Sequence, residues 1–210
     1  MRRPLVLLMA AATATAAVAG IGISAAPALA SRSAPADSTI TLTYPVTGTT
    51  LIKKINSSIS LGPGTLTTTA DLTTSKLTAA TLSLPPATGS FKELGFVPVT
   101  ATTKLIQVGQ ATGTFNFNAN TVTTTATAML QLTSLNIAGL NIPVGSSCET
   151  SATAITVSSQ PGFTFGLGGN LAGTYTIPNF HHCGLATLLI NLTLPGSGNT
   201  LTLTLGKPTL

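Results

Sequence analysis

Threonine and aliphatic residues alternate along most of this chain with a period of two residues. Residues 200–205 alternate between threonine and leucine without exception, and residues 39–44 alternate between threonine and a larger apolar side chain. A period of two places every apolar side chain on one face of a β-strand and every threonine on the other. We therefore predict strands with one apolar face and one hydroxyl-bearing face, the latter in contact with water.

Segments of this kind follow one another about every ten to fifteen residues, with glycine and proline between them. Gly62, Pro63 and Gly64 predict a turn that ends one of the strands. Between Leu77 and Leu82 the alternation changes phase, which predicts a β-bulge. The pattern therefore predicts a succession of short strands that are separated by turns.

The segments near the C-terminus alternate most clearly. Residues 188–194 and 201–205 both alternate, and residues 195–199 between them include two glycines. A short glycine-containing loop between two alternating runs predicts a β-hairpin. A shorter apolar pair, Phe163 and Phe165, marks a further strand upstream.

The fold class follows from the number of these segments and from the absence of another pattern. No helical stripe of useful length follows the first thirty residues. Roughly a dozen short strands without helices are typical of a β-sandwich or a β-barrel. We predict an all-β fold, with a single antiparallel β-sandwich or barrel-like domain over residues 39–210. The pattern does not determine the order of the strands.

The first thirty residues predict an export signal. Arg2 and Arg3 supply a short positive segment, residues 5–28 carry no charge, and residues 28–30 have the small-x-small pattern of a signal-peptidase site. We predict a signal peptide over residues 1–30, then a disordered leader over residues 31–38. A retained membrane anchor is the alternative, because the apolar run is long enough to span a bilayer. After cleavage we expect a secreted, extracellular protein without a transmembrane span.

Charged side chains are scarce, with nine lysines and arginines and four carboxylates in the whole chain. Lys53 and Lys54 are the only adjacent basic pair after the signal peptide, and the chain contains no tryptophan. Nucleic-acid binding typically uses a clustered basic patch with stacking aromatic side chains. We therefore expect no nucleic-acid partner.

Cys148 and Cys183 are the only cysteines of the chain. An even number of cysteines in an exported protein predicts a disulfide, because the compartment is oxidising. Two free thiols are one alternative. Another is a metal site in which the cysteines join His181, His182 and Glu149. Adjacent histidines point to opposite faces of an extended chain, however, so we expect no metal ligands.

The same scarcity limits the prospects for catalysis. Glycoside hydrolysis needs two carboxylates across a cleft, and a cysteine nucleophile needs a free thiolate beside an imidazole. No Gly-x-Ser-x-Gly motif presents a serine nucleophile. We therefore predict no enzymatic activity, no cofactor and no catalytic, cofactor-binding or metal-binding residues. The site residues that we assign are Cys148 and Cys183, as a disulfide.

Short motifs between residues 43 and 205 resemble a group of uncharacterised exported proteins of actinobacteria, which share a domain of unknown function. The resemblance covers most of the chain after the signal peptide. The motifs that carry it are TYPVTG (43–48), LGPGT (61–65), LPPATG (84–89), GFVPVT (95–100), IPVGSSC (142–148) and CGLA (183–186). The resemblance implies export and a pairing of Cys148 with Cys183, and it implies no particular activity.

Two functions fit these features. The first is a secreted, non-enzymatic β-domain that binds a component of the cell envelope or contributes structure outside the cell. The alternative is a carrier whose β-barrel encloses an apolar, lipid-like ligand, so that the leucine-rich faces line a cavity rather than a packed core. A pore-forming barrel would need apolar outer bands flanked by aromatic girdles, for which seven Phe and two Tyr are few.

Overall fold

The computed structural model describes residues 38–93 and 95–210. The predicted signal peptide, residues 1–30, and residues 31–37 of the predicted leader lie outside the described residues. The described residues belong to one compact unit. Its first described residue, Ser38, already contacts the domain, because its carbonyl accepts a hydrogen bond from the backbone N–H of Leu72 at 2.9 Å. Since the strand pairings and the core described below lie within residues 38–210, we expect this range to fold on its own.

Twelve strands, one α-helix and two single-turn 3₁₀ helices (Lys53–Ile55 and Gly184–Ala186) form the regular structure of the described residues. The first six strands are β1 (Thr39–Ile52), β2 (Ser57–Asp71), β3 (Lys76–Ser83), β4 (Ala87–Glu93), β5 (Val97–Asn116) and β6 (Thr121–Ile137). The other elements are β7 (Leu140–Ile142), β8 (Glu149–Thr150), β9 (Thr153–Ser159), β10 (Gly169–Ile177), β11 (Phe180–His181), helix α1 (Thr187–Thr193) and β12 (Gly196–Leu205). None of the helices in this part of the chain has the length and hydropathy needed to cross a membrane.

Eight of the strands close into an antiparallel barrel. They are arranged in the order β1-β2-β3-β5-β6-β9-β10-β12, so that each barrel strand pairs with the next one along the chain. The last strand, β12, then pairs with β1 and completes the ring. The prediction of an all-β, antiparallel domain is confirmed, and the architecture is a barrel rather than a sandwich.

The alternation of threonine and leucine separates the outside of the barrel from the inside. In β12, Leu201, Leu203 and Leu205 are buried, whereas Thr200 and Thr204 are exposed. On the outer surface, threonines of neighbouring strands hydrogen-bond to one another across the ladder. The four such hydroxyl pairs are Thr41–Thr69 at 3.2 Å, Thr43–Thr67 at 3.3 Å, Thr88–Thr102 at 2.9 Å and Thr125–Thr156 at 2.8 Å. Most apolar side chains of the barrel strands therefore point into the barrel, whereas Leu51 and Val108 are exposed on the outside.

The two ends of the barrel are built differently. The end at which β1 begins, called the loop end, carries the β2–β3 turn, the β5–β6 turn and the β9–β10 loop over residues 160–168. The opposite end, called the helix end, carries the 3₁₀ turn Lys53–Ile55, the short strands β8 and β11, and α1. The strands β4 and β7 extend the sheet at this end, where they pair with β5 and β6. The barrel is therefore covered more extensively at its helix end.

The predicted C-terminal hairpin is wrong in its first half, because residues 187–193 form helix α1. Ala186, Ile190 and Leu194 are buried at a spacing of four residues, which is the spacing of one helical face. Apolar residues at positions 188, 190, 192 and 194 alternate as they would in a strand. Two of them, Ile190 and Leu194, also lie four residues apart on the buried helical face, so the same residues fit both structures. The side chain of Asn191 fixes the helix: it accepts a hydrogen bond from the N–H of Phe180 and donates one to its carbonyl.

One local feature of the strands differs from its prediction, and another agrees. Gly62, Pro63 and Gly64 do not end a strand but lie inside β2, where the register with β1 shifts between Val46 and Gly48. The predicted bulge is confirmed, because the register of β3 with β2 shifts between Leu77 and Ala79.

The segment that contains Phe163 and Phe165 is a tight loop rather than a strand. Its only ladder contact is an isolated bridge, in which Thr164 and Gly168 exchange two backbone hydrogen bonds of 2.8 Å. The loop folds back on itself because Gly168 adopts a positive φ of 86°. Both phenylalanines can therefore turn towards the barrel.

Cys148 and Cys183 form a disulfide, as we expected, with their Cα atoms 4.4 Å apart. Both residues are fully buried. The bond joins the segment before β8 to the segment that leads into α1, and the carbonyl of Cys148 accepts a hydrogen bond from the N–H of Leu132 in β6 at 2.8 Å. The disulfide therefore attaches the cover of the helix end to the barrel wall.

Replacement of both cysteines by serine is expected to destabilise the domain by about 3–4 kcal/mol, because the bond closes a loop of 35 residues. Denaturant unfolding of the Cys148→Ser/Cys183→Ser protein should show this as a lower midpoint with a steeper slope, because the unfolded chain exposes more surface without the bond. Wild-type protein unfolded under reducing conditions is the control and should lose a similar amount. An unchanged midpoint in both samples would contradict a stabilising role for the bond.

Candidate ligand-binding cavity

The barrel interior contains two adjoining cavities rather than a fully packed core. The cavity nearer the loop end, called the loop cavity, has a volume of about 110 Å³. The cavity nearer the helix end, called the helix cavity, has a volume of about 100 Å³. Five side chains line both cavities: Leu82, Leu105, Ile155, Leu201 and Leu203. The two cavities are therefore neighbours that follow one another between the ends of the barrel.

Small side chains account for the unfilled space in the loop cavity. The alanines that line it are Ala70, Ala80, Ala111, Ala126 and Ala128. An eight-stranded barrel has an interior just wide enough for side chains to fill it or for one small ligand. Alanines at inward positions leave space that leucines would occupy, and this space is bounded by leucine, isoleucine, valine and phenylalanine. Neither cavity is lined by a charged residue of the described part of the chain.

Most of the polar side chains that line the cavities are already hydrogen-bonded within the protein. The hydroxyl of Tyr44 donates to the carbonyl of Phe165 at 3.0 Å. The hydroxyl of Thr50 donates to the carbonyl of Thr200 at 2.8 Å and therefore accepts from Tyr175, 2.8 Å away. Among the described residues, no buried side-chain nitrogen or oxygen lacks a hydrogen-bond partner. The interior thus offers a ligand apolar contact rather than unoccupied donors or acceptors.

Both tyrosines remain uncharged at physiological pH. Burial raises the pKa of Tyr44 above its ordinary value. Burial also raises the pKa of Tyr175, and the hydrogen bond with Thr50 opposes this increase only in part. Since a phenol ordinarily ionises near pH 10, neither hydroxyl introduces a charge into the interior.

Four phenylalanines, Phe115, Phe117, Phe163 and Phe165, close the loop end and are called the phenylalanine cluster. Their ring centroids are 4.7–5.8 Å apart in tilted or edge-to-face pairs. All four line the loop cavity, and Phe117 is also 48% exposed to solvent. Side chains alone therefore separate this cavity from solvent at Phe117. The bond from Tyr44 to the carbonyl of Phe165 holds the cluster in place.

Backbone segments close the helix end. Phe180 and Leu194, which flank α1, are buried and line the helix cavity. Asn199, at the start of β12, is also buried, and its amide group donates to the carbonyls of Tyr175 and Gly196. Its side-chain oxygen accepts a hydrogen bond from the N–H of Lys53. These bonds connect three segments of the helix end.

The barrel wall contains a seam between β3 and β5. The two strands pair at only three positions, the last of which is Ala80 with Ala111. Beyond that point the side chain of Gln107 replaces the ladder. Its amide donates to the carbonyl of Ala80 at 2.7 Å, and its oxygen accepts from the N–H of Leu82 at 2.8 Å. Gln107 therefore closes the wall beside the loop cavity, which it also lines.

The chemistry-bearing residues considered in the sequence lie away from both cavities. His181 is opposite Glu149 in the β8–β11 ladder, and its Nε2 lies 3.3 Å from the hydroxyl of Ser151. His182 is exposed, and its ring centroid lies 6.4 Å from that of His181. Within the described residues, no group of three or more His, Cys, Asp or Glu side chains is arranged to hold a metal ion. None of these residues lines a cavity.

Sequence reasoning did not find the residues that shape the cavities. The sequence shows the alanines and the two Phe-x-Phe pairs, but it does not show which strands face one another across the interior. The closure of the barrel determines that arrangement. Gln107 gave no signal, because a glutamine in a strand ordinarily points to solvent. The fold and the interior together define a small closed β-barrel with an apolar cavity.

Comparison of the chain with protein-family models, with curated proteins and with solved structures found no match. The resemblance to exported actinobacterial proteins therefore stays a prediction from the motifs.

Replacement of Gln107 by alanine is expected to destabilise the domain by about 1–3 kcal/mol, because it leaves the N–H of Leu82 and the carbonyl of Ala80 without their partner. Gln110→Ala is the matched control. Gln110 is an exposed glutamine of the same strand, and its side chain only accepts a hydrogen bond from the hydroxyl of Thr81. Thermal unfolding followed by circular dichroism should separate the two variants, and equal losses would mean that the seam needs no side-chain bridge.

Proposed function

We propose that this protein is a secreted, non-enzymatic binding protein that carries an apolar ligand inside its barrel. The observation that carries this proposal is the unfilled, charge-free interior, in which alanines stand at inward positions and most polar side chains are already hydrogen-bonded. Unfilled volume reduces the packing energy of a domain, and an apolar ligand restores the lost contacts. A domain that served only as structure would be more stable with a filled core.

The shape of the interior favours a narrow, unbranched hydrocarbon chain. Two cavities of similar size follow one another between the ends of the barrel and share five lining side chains. A linear chain can extend through both, whereas a bulky ring system needs one wide cavity. Because no charged side chain of the described residues lines either cavity, the buried part of the ligand is uncharged.

The predicted export of the protein indicates the compartment in which it would meet its ligand. The chain begins with the pattern of a cleaved signal peptide, and a buried disulfide is typical of proteins that fold outside the cytoplasm. Lipids of the cell envelope are a source of alkyl chains in that compartment. We therefore propose that the ligand is an envelope component with an alkyl or acyl chain.

Ligand binding is tested by isothermal titration calorimetry with primary alcohols of increasing chain length. One alcohol molecule should bind per barrel, and each added methylene is expected to strengthen binding about fourfold, because its burial contributes about 0.8 kcal/mol. The gain should stop once the chain fills both cavities. Absence of alcohol binding, or affinities independent of chain length, would refute the proposal.

Filling the loop cavity should weaken this binding. Ala126→Leu replaces a methyl group by an isobutyl group at an inward position of β6, and a reduction in alcohol affinity of about tenfold or more is expected from the lost volume. Ala154→Leu makes the same chemical change at an exposed position of the neighbouring strand β9 and should leave the affinity unchanged. If both variants bind alike, the ligand does not occupy the loop cavity.

A further inference from the structure

We propose that the outer face of α1 docks on a lipid surface that carries anionic headgroups. This face, called the leucine face, consists of Leu188, Leu189 and Leu192 of α1 together with Leu185 of the preceding 3₁₀ turn. Their exposed fractions are 73%, 42%, 64% and 103%. This inference concerns a second surface, and it stands independently of ligand binding inside the barrel.

The leucine face belongs to a helix that is apolar on both sides. The inner side of the helical segment uses Ala186, Ile190 and Leu194 to cover the helix end. The outer side would be polar in a helix that meets only water. Contiguous exposed leucines are instead typical of an interaction surface.

Positive charge lies beside the leucine face. Lys53 and Lys54 form an exposed 3₁₀ turn next to the C-terminal end of α1. The amino group of Lys54 donates to the carbonyl of Pro195 at 3.3 Å, and the side chain of Lys53 lies against Gly198. The nearby carboxylate Glu149 lies in β8, opposite His181 and outside this turn. Leucines beside two lysines match an acyl layer covered by anionic headgroups.

The size and composition of the leucine face favour lipid over a second copy of the chain. Four leucines expose only a few hundred Å². A stable protein interface buries about 800 Å² on each partner, and its energy is concentrated in Trp, Tyr and Arg side chains. The leucine face contains none of these residues. Aliphatic side chains, in contrast, enter the boundary between headgroups and acyl chains without needing a shaped partner.

Docking in this orientation would place the barrel interior next to the acyl layer. Leu194 belongs to the inner side of the helical segment, and both it and Phe180 line the helix cavity. Only the helix and its flanking segments therefore separate the leucine face from that cavity. Membrane docking thus positions the protein to exchange an alkyl chain, if the barrel carries one.

Vesicle flotation of residues 38–210 tests the proposal. Wild-type protein should float with vesicles that contain phosphatidylglycerol and should bind pure phosphatidylcholine more weakly. The Leu188→Gln/Leu192→Gln protein should lose at least about tenfold in affinity for the anionic vesicles. The Lys53→Gln/Lys54→Gln protein should lose roughly 10- to 30-fold and should also lose most of the salt dependence of binding.

A matched control carries the same substitutions at two other leucines. Leu140 and Leu167 are 69% and 70% exposed and lie outside the leucine face, so Leu140→Gln/Leu167→Gln should bind vesicles like the wild type. Circular dichroism should show that all variants are folded. Equal flotation of all variants, or no flotation of the wild type, would overturn the proposal. So would sedimentation showing that the wild type is a dimer which the Leu188→Gln/Leu192→Gln change dissociates. Binding of primary alcohols inside the barrel is measured without vesicles, so failure of either proposal is recognised separately.

Discussion

The pairing of β12 with β1 is the constraint on which the rest of this structure depends. Six consecutive residue pairs, from Val46 with Leu205 to Leu51 with Thr200, join the first barrel strand to the last. This ladder leaves the ring without an open edge, which an antiparallel sheet of this length would otherwise expose to other chains. It also directs every inward side chain towards a common interior. The threonine surface follows from the same closure, because the opposite face of each strand can then only point outwards.

Closure with eight strands sets the width of the interior, and the inward side chains decide how much of it is filled. Leucines fill part of it, while the alanines of the loop cavity leave space. The two ends are closed by different means, since side chains of the phenylalanine cluster cover one and the disulfide-anchored segment with α1 covers the other. Gln107 completes the wall where β3 and β5 separate. The barrel thus encloses apolar space, and no fully buried side-chain nitrogen or oxygen of the described residues lacks a hydrogen-bond partner. This combination is what an alkyl chain requires.

Local patterns in the sequence predicted the local structure well and the tertiary features poorly. The strands and the bulge near Leu77 were predictable, because an alternation of period two depends only on neighbouring residues. Helix α1 was not, because apolar residues at positions 190 and 194 fit a strand and a helix equally. The disulfide was predictable from the cysteine count and from the expected compartment. The cavities were not, because they depend on which side chains meet across a closed ring. His181 and His182, which the sequence offered as alternative metal ligands, lie on the surface at the helix end.

The central claim is that the barrel interior is a binding cavity rather than an imperfect core. Native mass spectrometry of the protein purified from its source organism measures this occupancy, because gentle ionisation preserves a ligand held inside a closed barrel. We expect a mass above that of the disulfide-bonded chain by one alkyl-containing molecule, which collisional activation or organic extraction releases. We also expect the Ala126→Leu protein, produced and purified in the same way, to carry less of this molecule. A bare polypeptide mass for both proteins, together with no binding of added long-chain alcohols, would show that the interior is an imperfectly packed core and not a binding cavity.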